Sequence, residues 1–275
     1  MLRGHYILIG MFLFSMMFSS CDQIENNMVE LDSATIDSLM SDYNLANGPG
    51  AALRIIENRY IIYSKGYGLA NLEEDIPIIS GTNFRLASIT KQFTAMCIMI
   101  LQSRGQLNYE QTLTALFPDF PNYGNEITIR HLLHHTSGLR DYFSLIPENV
   151  TEQIHDDDVL NMMMEQTSTY FIPGSEYQYS NSGYAVLAMI VEQISGLSFA
   201  NFLSENIFIP LNMAGSIAFE EGMSTVPSRA YGYSYSGDHY VMNDQSLTSA
   251  VLGDGGIYTS IDDLFKWAQG LYTNS

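Results

Sequence analysis

The 275-residue sequence predicts a mixed α/β (α+β) domain with a largely helical middle. Three observations predict it. Two strand-like runs, 51–57 and 60–64, flank Asn58-Arg59 and read as a hairpin. From about 106 to 204 the apolar spacing is mostly helical. Strand-like runs at 231–235 and 256–259 then precede a final helical pattern at 262–271.

Each element has a local reason. A first helix is expected near 34–43, ended by the Asn47-Gly-Pro-Gly50 turn. Gly66-Tyr-Gly68 and Glu73-Glu-Asp75 read as turns after the hairpin. Residues 86–101 are rich in helix formers and hold no Pro or Gly. The clearest later helices are 128–135, 157–166 and 183–194, with loops at 118–125, Ser137-Gly138 and Pro173-Gly174. Asp156-Asp-Asp158 suits the positive end of the second of these without a metal. Met162-Met-Met164 reads as core filler, and Ser260-Ile-Asp-Asp263 as the cap of the final helix.

Bulk properties narrow the function classes. Apolar content of 46% with 15% charged residues describes a globular chain. A net charge of −19 without a Lys/Arg run argues against nucleic-acid binding and a polybasic membrane patch. At the amino terminus, Arg3 precedes an apolar stretch at 6–18, too short for a membrane span of about 20 residues. Phe18-Ser-Ser-Cys21 then resembles a bacterial lipoprotein signal, with 1–20 as signal peptide, Cys21 as the lipid-bearing residue and 21–33 as an acidic tether. Phe18 departs from the commoner Leu, which leaves a plain secretory signal as the alternative. The remaining cysteine, Cys97, reads as a buried small hydrophobe.

Ser88-Ile-Thr-Lys91 is the first chemical candidate. Positions i and i+3 of a helix share a face, which brings the amine to the hydroxyl. A serine is a poor nucleophile until a neighbouring base takes its proton, and helix-start N–H groups favour a developing oxyanion. A capping serine beside a solvated lysine gives the same spacing, so context has to decide. Tyr179-Ser-Asn181, after the Pro173-Gly174 turn, offers a phenol and an amide as partners. His131, His134 and His135 have spacing compatible with metal ligation, yet no acidic residue of the zinc-protease kind adjoins them. Gly253-Asp-Gly-Gly256 lacks the Lys-Ser/Thr of a phosphate loop and reads as a tight turn.

Six stretches taken in order resemble the serine β-lactamase and penicillin-binding family, especially its class C-like branch of esterases, D-amino-acid peptidases and β-lactamases. They are Pro49-Gly-Ala-Ala52; Tyr63-Ser-Lys-Gly-Tyr-Gly-Leu-Ala-Asn71; Phe84-Arg-Leu-Ala-Ser-Ile-Thr-Lys-Gln-Phe-Thr-Ala95; Thr128-Ile-Arg-His-Leu-Leu-His-His-Thr-Ser-Gly-Leu139; Phe171-Ile-Pro-Gly174 with Tyr179-Ser-Asn-Ser-Gly-Tyr184; and Gly255-Gly-Ile-Tyr-Thr-Ser-Ile-Asp-Asp-Leu264. Together they span about 45–270, and several long motifs in order are far more specific than one Ser-x-x-Lys.

The resemblance implies an antiparallel sheet flanked by helices with an all-helical subdomain, over 34–275. It implies an envelope-held serine hydrolase acting on an ester, a D-amino-acid peptide or a β-lactam. Ser88 would be the acylated nucleophile and Lys91 its proton acceptor or electrostatic partner. Tyr179 would be the general base or acid and Asn181 the substrate-binding amide, with the first proton going to either Lys91 or Tyr179. No cofactor, metal or nucleic acid is implied; the partner is a small-molecule or peptide substrate, and membrane contact is through the lipid anchor alone. The three histidines then read as a structural turn bordering the cleft.

One family motif has no match: Lys or His, a small residue, then Gly, on the strand that supplies the second oxyanion donor. Lys266 is followed by Trp-Ala and His239 by Tyr-Val. The expectation is therefore a chain read incompletely at its C-terminus, with the final strands missing. The alternative is a truncated, inactive member that binds peptidoglycan-like peptides.

Overall fold

A computed structural model describes residues 32–220 and 222–273. The expected signal, Cys21 and most of the expected tether lie outside the described residues. The compact unit runs over Ser33–Ser275.

The chain opens with α1 (Ser33–Leu39), then β1 (Ala51–Glu57) and β2 (Tyr60–Tyr67), paired antiparallel from Ala51↔Tyr67 to Glu57↔Tyr60. Asn58 and Arg59 both have positive φ, 49° and 73°, matching a tight two-residue hairpin connection. The hairpin agrees with the sequence reading, but β2 runs through Gly66, which sequence assigned to a turn. Gly66 pairs with Ala52, and a Cβ there would lie 2.0 Å from the Ile78 carbonyl oxygen. The glycine permits close backbone approach inside a strand.

β3 (Leu69–Asn71) pairs with β4 (Ile76–Pro77), and β5 (Phe84–Arg85) leads into α2 (Lys91–Ser103). The helical middle holds α3 (Leu113–Leu116), α4 (Ile129–Leu133), α5 (Asp156–Met164), α6 (Asn181–Ser195) and α7 (Phe199–Leu203). Next come β6 (Ile217–Ala218), the hairpin β7 (Tyr233–Ser236) and β8 (His239–Met242), the short helical turn α8 (Leu252–Gly255), β9 (Ile257–Thr259) and α9 (Ile261–Thr273).

The strands are antiparallel, as expected, but among the described residues they form four small sheets. These are β1–β2, β3–β4, β7–β8 and a three-stranded sheet in which β9 lies between β5 and β6. Strands of two to four residues escape period-2 pattern reading, because they hold too few side chains to alternate.

α6 is the axis of the core. Its Ala185, Val186, Leu187, Ala188, Ile190 and Val191 are fully buried, as befits a helix apolar on all sides. α6 packs against α2, α4, α5 and α7, and Phe93, Ile98 and Leu101 of α2 carry the core toward Trp267 of α9. Phe93 and Trp267 lie with ring centroids 4.4 Å apart. Met163 is fully buried and Met162 and Met164 pack beside it, the filler role expected of them. Gly196, at φ 71°, ends α6 in the left-handed conformation usual after helices. No single helix among the described residues is long and apolar enough to cross a membrane.

Candidate active site

Ser88 lies in a 3-10 turn, Ala87–Thr90, that runs directly into α2. It is exposed, whereas Lys91, the first residue of α2, is 6% exposed. Ala87 holds φ 47°, a left-handed value rare outside glycine, and this sharp entry presents the serine at the end of the helix. Within this turn the Ile89 N–H donates to the Leu86 carbonyl oxygen at 3.2 Å, while the first N–H groups of a helical turn precede any acceptor inside it.

The Lys91 amine is held from three sides. Nζ donates to Asn181 Oδ1 at 2.8 Å and to the Asp254 carbonyl oxygen at 2.8 Å, and reaches Ser88 Oγ at 3.4 Å. Two firm acceptors fix the tetrahedral nitrogen, so its remaining position faces Ser88. Nζ also lies 4.9 Å from the ring centre of Tyr179 and 5.5 Å from that of Tyr184, within the range of cation–π attraction.

Tyr179 and Asn181 enter from the start of α6. The Ser180 hydroxyl accepts from Gly183 N at 3.0 Å and caps the helix. Asn181 is thereby aimed at Lys91, and Tyr179 stands half exposed beside it. The Tyr179 ring stacks on His135 at 4.6 Å, with Tyr184 on the histidine at 5.0 Å. His135 Nδ1 accepts from Ser180 N at 3.1 Å, so the ring supports the Tyr179 segment by face and by hydrogen bond. Burial lowers the His135 pKa, and the Lys91 charge lowers it further, which keeps that nitrogen an acceptor at neutral pH. Among the described residues the Tyr179 hydroxyl makes no hydrogen bond to Ser88 or Lys91.

His131 has a structural partner too. His131 and Thr128 form a reciprocal cap on α4, with Thr128 N donating to His131 Nδ1 at 3.3 Å. Among the described residues no group of three or more His, Cys, Asp or Glu is placed to hold a metal ion. Cys97 is fully buried, and burial pushes its thiol far above the nucleophilic range.

Sequence reasoning missed the residues behind Lys91. Asp254 is buried at 7% exposure and its carboxylate accepts from Tyr142 Oη at 3.0 Å. Asp156, read as one of three helix-start acids, instead accepts from Leu252 N at 2.7 Å and Gly253 N at 3.0 Å. Only Asp158 caps α5, through His155 N at 3.0 Å. A signal for Asp254 was present: it is the lone charge in the otherwise uncharged run 245–261.

Residues 35–274 match the family model described as Beta-lactamase. Penicillin-binding protein 4* of Bacillus subtilis (strain 168) is 36% identical over 226 residues, covering 77% of this chain and 50% of that protein. A D-aminopeptidase of Gluconobacter oxydans (strain 621H) is 32% identical over 228 residues, covering 80% and 42%. The octameric penicillin-binding protein homologue from Pyrococcus abyssi superposes with a TM-score of 0.75 at 25% identity, over 89% of this chain and 57% of that one. A penicillin-binding protein from Bacillus halodurans gives 0.72 at 27% identity, over 86% and 72%. The chain spans about half the length of the curated relatives it matches.

Proposed function

Because the chain belongs to the beta-lactamase family, we propose that it is a serine hydrolase that forms an acyl-Ser88 intermediate on an ester, a D-amino-acid peptide or a β-lactam amide. One observation carries the reading: an exposed serine hydroxyl lies 3.4 Å from a buried amine whose two other hydrogen bonds are fixed. The D-aminopeptidase and penicillin-binding names of the relatives support the choice of substrates.

In this reaction Ser88 Oγ attacks the substrate carbonyl carbon while its proton passes to Lys91 Nζ or Tyr179 Oη. The carbonyl oxygen takes up negative charge, and the Ser88 backbone N–H at the start of the helical turn is its donor within the described chain. The bond to the leaving nitrogen or oxygen then breaks, and that atom takes the proton. Water attacks the acyl ester by the reverse route and frees Ser88. Asn181 both fixes Lys91 and offers its amide N–H₂ to a substrate carbonyl.

Intact-mass spectrometry after incubation with a fluorophosphonate or a penicillin tests the reading. One adduct per chain is expected on the wild type and none on Ser88→Ala; labelling that survives the substitution, or none on the wild type, overturns it. We also propose that Cys21 is acylated and holds the domain at the cell envelope. The wild type is then expected in the membrane fraction and Cys21→Ser in the soluble fraction; equal partitioning of the two counts against the anchor.

A further inference from the structure

Behind Lys91 lies a polar cluster that the reaction above leaves unused. The α8 turn is pinned along its length. The Asp156 carboxylate takes the N–H groups of Leu252 and Gly253 at 2.7 and 3.0 Å, and Thr94 Oγ1 donates to the Gly253 carbonyl at 2.7 Å. A Cβ at Gly253 would lie 2.4 Å from the Tyr184 carbonyl oxygen, so the turn is pressed directly on α6. Its next carbonyl, that of Asp254, is the one that receives Lys91 Nζ at 2.8 Å.

These contacts fix the turn through backbone groups and through Asp156. The Asp254 side chain is not needed for them, yet it is a carboxylate, buried and joined to the fully buried Tyr142 hydroxyl at 3.0 Å. Burying such a group is costly unless a charge answers it. The charged and titratable groups that act on it are Lys91 from α2, Arg85 from β5, and Tyr142 with Asp141 from the loop after α4. Asp156, from α5, holds the preceding residues of the same turn. Arg85 Nη1 is committed to the Ser249 carbonyl at 3.0 Å.

We propose that Asp254 is the third member of a Ser88–Lys91–Asp254 relay. Its carbonyl orients Lys91 Nζ, and its carboxylate, anchored by Tyr142, stabilises the Lys91 ammonium during acylation. Asp254 is thus a positioning residue acting through Lys91, in the way a carboxylate orients and answers the histidine of other serine hydrolases. The inference rests on the hydrolase reading. Burial raises the Asp254 carboxyl to about 6, against the opposing pull of Lys91, Tyr142 and Arg85. Acidification therefore neutralises the relay within a pH range that rate measurements can reach.

The test is the rate of Ser88 acylation by a fluorescent penicillin and by a nitrophenyl ester, from about pH 4.5 to about pH 8.5. The wild type is expected to lose rate through an acid limb centred near 6. Asp254→Asn keeps the shape and a polar contact to Tyr142 but removes the charge. It is expected to acylate at least about tenfold more slowly at neutral pH and to lack the limb. Tyr142→Phe removes a donor that favours the ionised carboxylate, so its limb is expected at higher pH. Rates for Asp254→Asn close to those of the wild type, or a limb that persists in it and so belongs to another group such as His135, overturn the proposal.

If the wild type takes up neither probe, the hydrolase reading fails, and Asp254 is read without turnover. The chain has three lysines, so the ¹⁵N signal of Lys91 Nζ can be assigned by its loss in Lys91→Arg. In Asp254→Asn that signal is expected to move from its wild-type position, and its N–H protons to exchange with water faster than in the wild type. Coincident signals and exchange rates overturn the relay.

Discussion

At the scale of single residues, the site is set by how one amine is held. Lys91 is buried, and its hydrogen bonds reach Ser88 one turn before it and two distant parts of the chain, Asn181 at the head of α6 and Asp254 in α8. A hydrogen bond to a charged group contributes about 1.5–3 kcal/mol, and deleting the acceptor leaves a buried donor unmet. Asn181→Ala is therefore expected to slow Ser88 acylation by roughly ten- to a hundredfold, with a lower urea midpoint. Asn181→Asp keeps an acceptor and should recover the midpoint better than the alanine variant. Acylation of Asn181→Ala at the wild-type rate would show that Lys91 is placed without it. Ser88, Lys91, Tyr179 and Asn181 were legible because nucleophile, amine, phenol and amide sit inside motifs of recognisable order. Asp254 was not, because a carboxylate between glycines looks like turn chemistry until the elements around it are packed.

At the scale of elements, the site is assembled where the starts of two helices meet one turn. The turn into α2 presents Ser88 and the first residue of α2 is Lys91, α6 presents Asn181 with Tyr179 just ahead of it, and α8 contributes a carbonyl. The cap of α6 thus supports the candidate site: Ser180→Ala is expected to cost about 1 kcal/mol of stability and to loosen Tyr179 and Asn181. Denaturant midpoints and the acylation rate check both effects. Gly253→Ala is the sharper perturbation, since its Cβ would meet the Tyr184 carbonyl oxygen at 2.4 Å and the Ala188 Cβ at 2.7 Å. The turn must then shift, carrying the Asp254 carbonyl off Lys91; a loss of both stability and acylation is expected, and wild-type behaviour in both assays would show that the turn has slack. The long helices and the β1–β2 hairpin were readable from sequence, because each carries enough residues to show a period. β3 to β6 were not; each holds only two or three residues, and β5 and β6 pair with β9 from other parts of the chain, as in Phe84↔Thr259 and Ile217↔Tyr258.

At the scale of the whole molecule, separate clamps tie the peripheral elements to the core. Asp37 of α1 accepts from Lys65 Nζ at 2.7 Å, Tyr67 Oη at 2.8 Å and Tyr63 Oη at 2.9 Å, joining the first helix to the hairpin. Arg54 of β1 pairs with Asp262 and donates to the Ile261 carbonyl at 2.7 Å, joining the hairpin to α9. The Lys65 bond, followed by the two tyrosine hydroxyls, lowers the Asp37 carboxyl from 3.8 to about 2. A depressed carboxylate stabilises the fold above its unfolded value and loses that contribution as pH falls through the folded one. The wild type is accordingly expected to lose stability relative to Asp37→Asn between about pH 4 and about pH 2, with the two curves running parallel above that window. Thermal unfolding across this range checks it; a constant difference down to the acid end would remove Asp37 from the clamp.

The sequence by itself determined the family, the fold class and the four residues of the catalytic proposal, because these are written in local order: motifs, periods and caps that neighbouring residues carry. Tertiary structure alone decided how Lys91 is held, which histidine supports Tyr179, that Asp156 braces a turn nearly a hundred residues away, and that Asp254 lies behind the amine. Hydrogen bonds and electrostatic interactions act across a few ångströms of space whatever their separation in the chain, so the partners of a buried charge emerge only when packing brings α2, α5, α6 and α8 together.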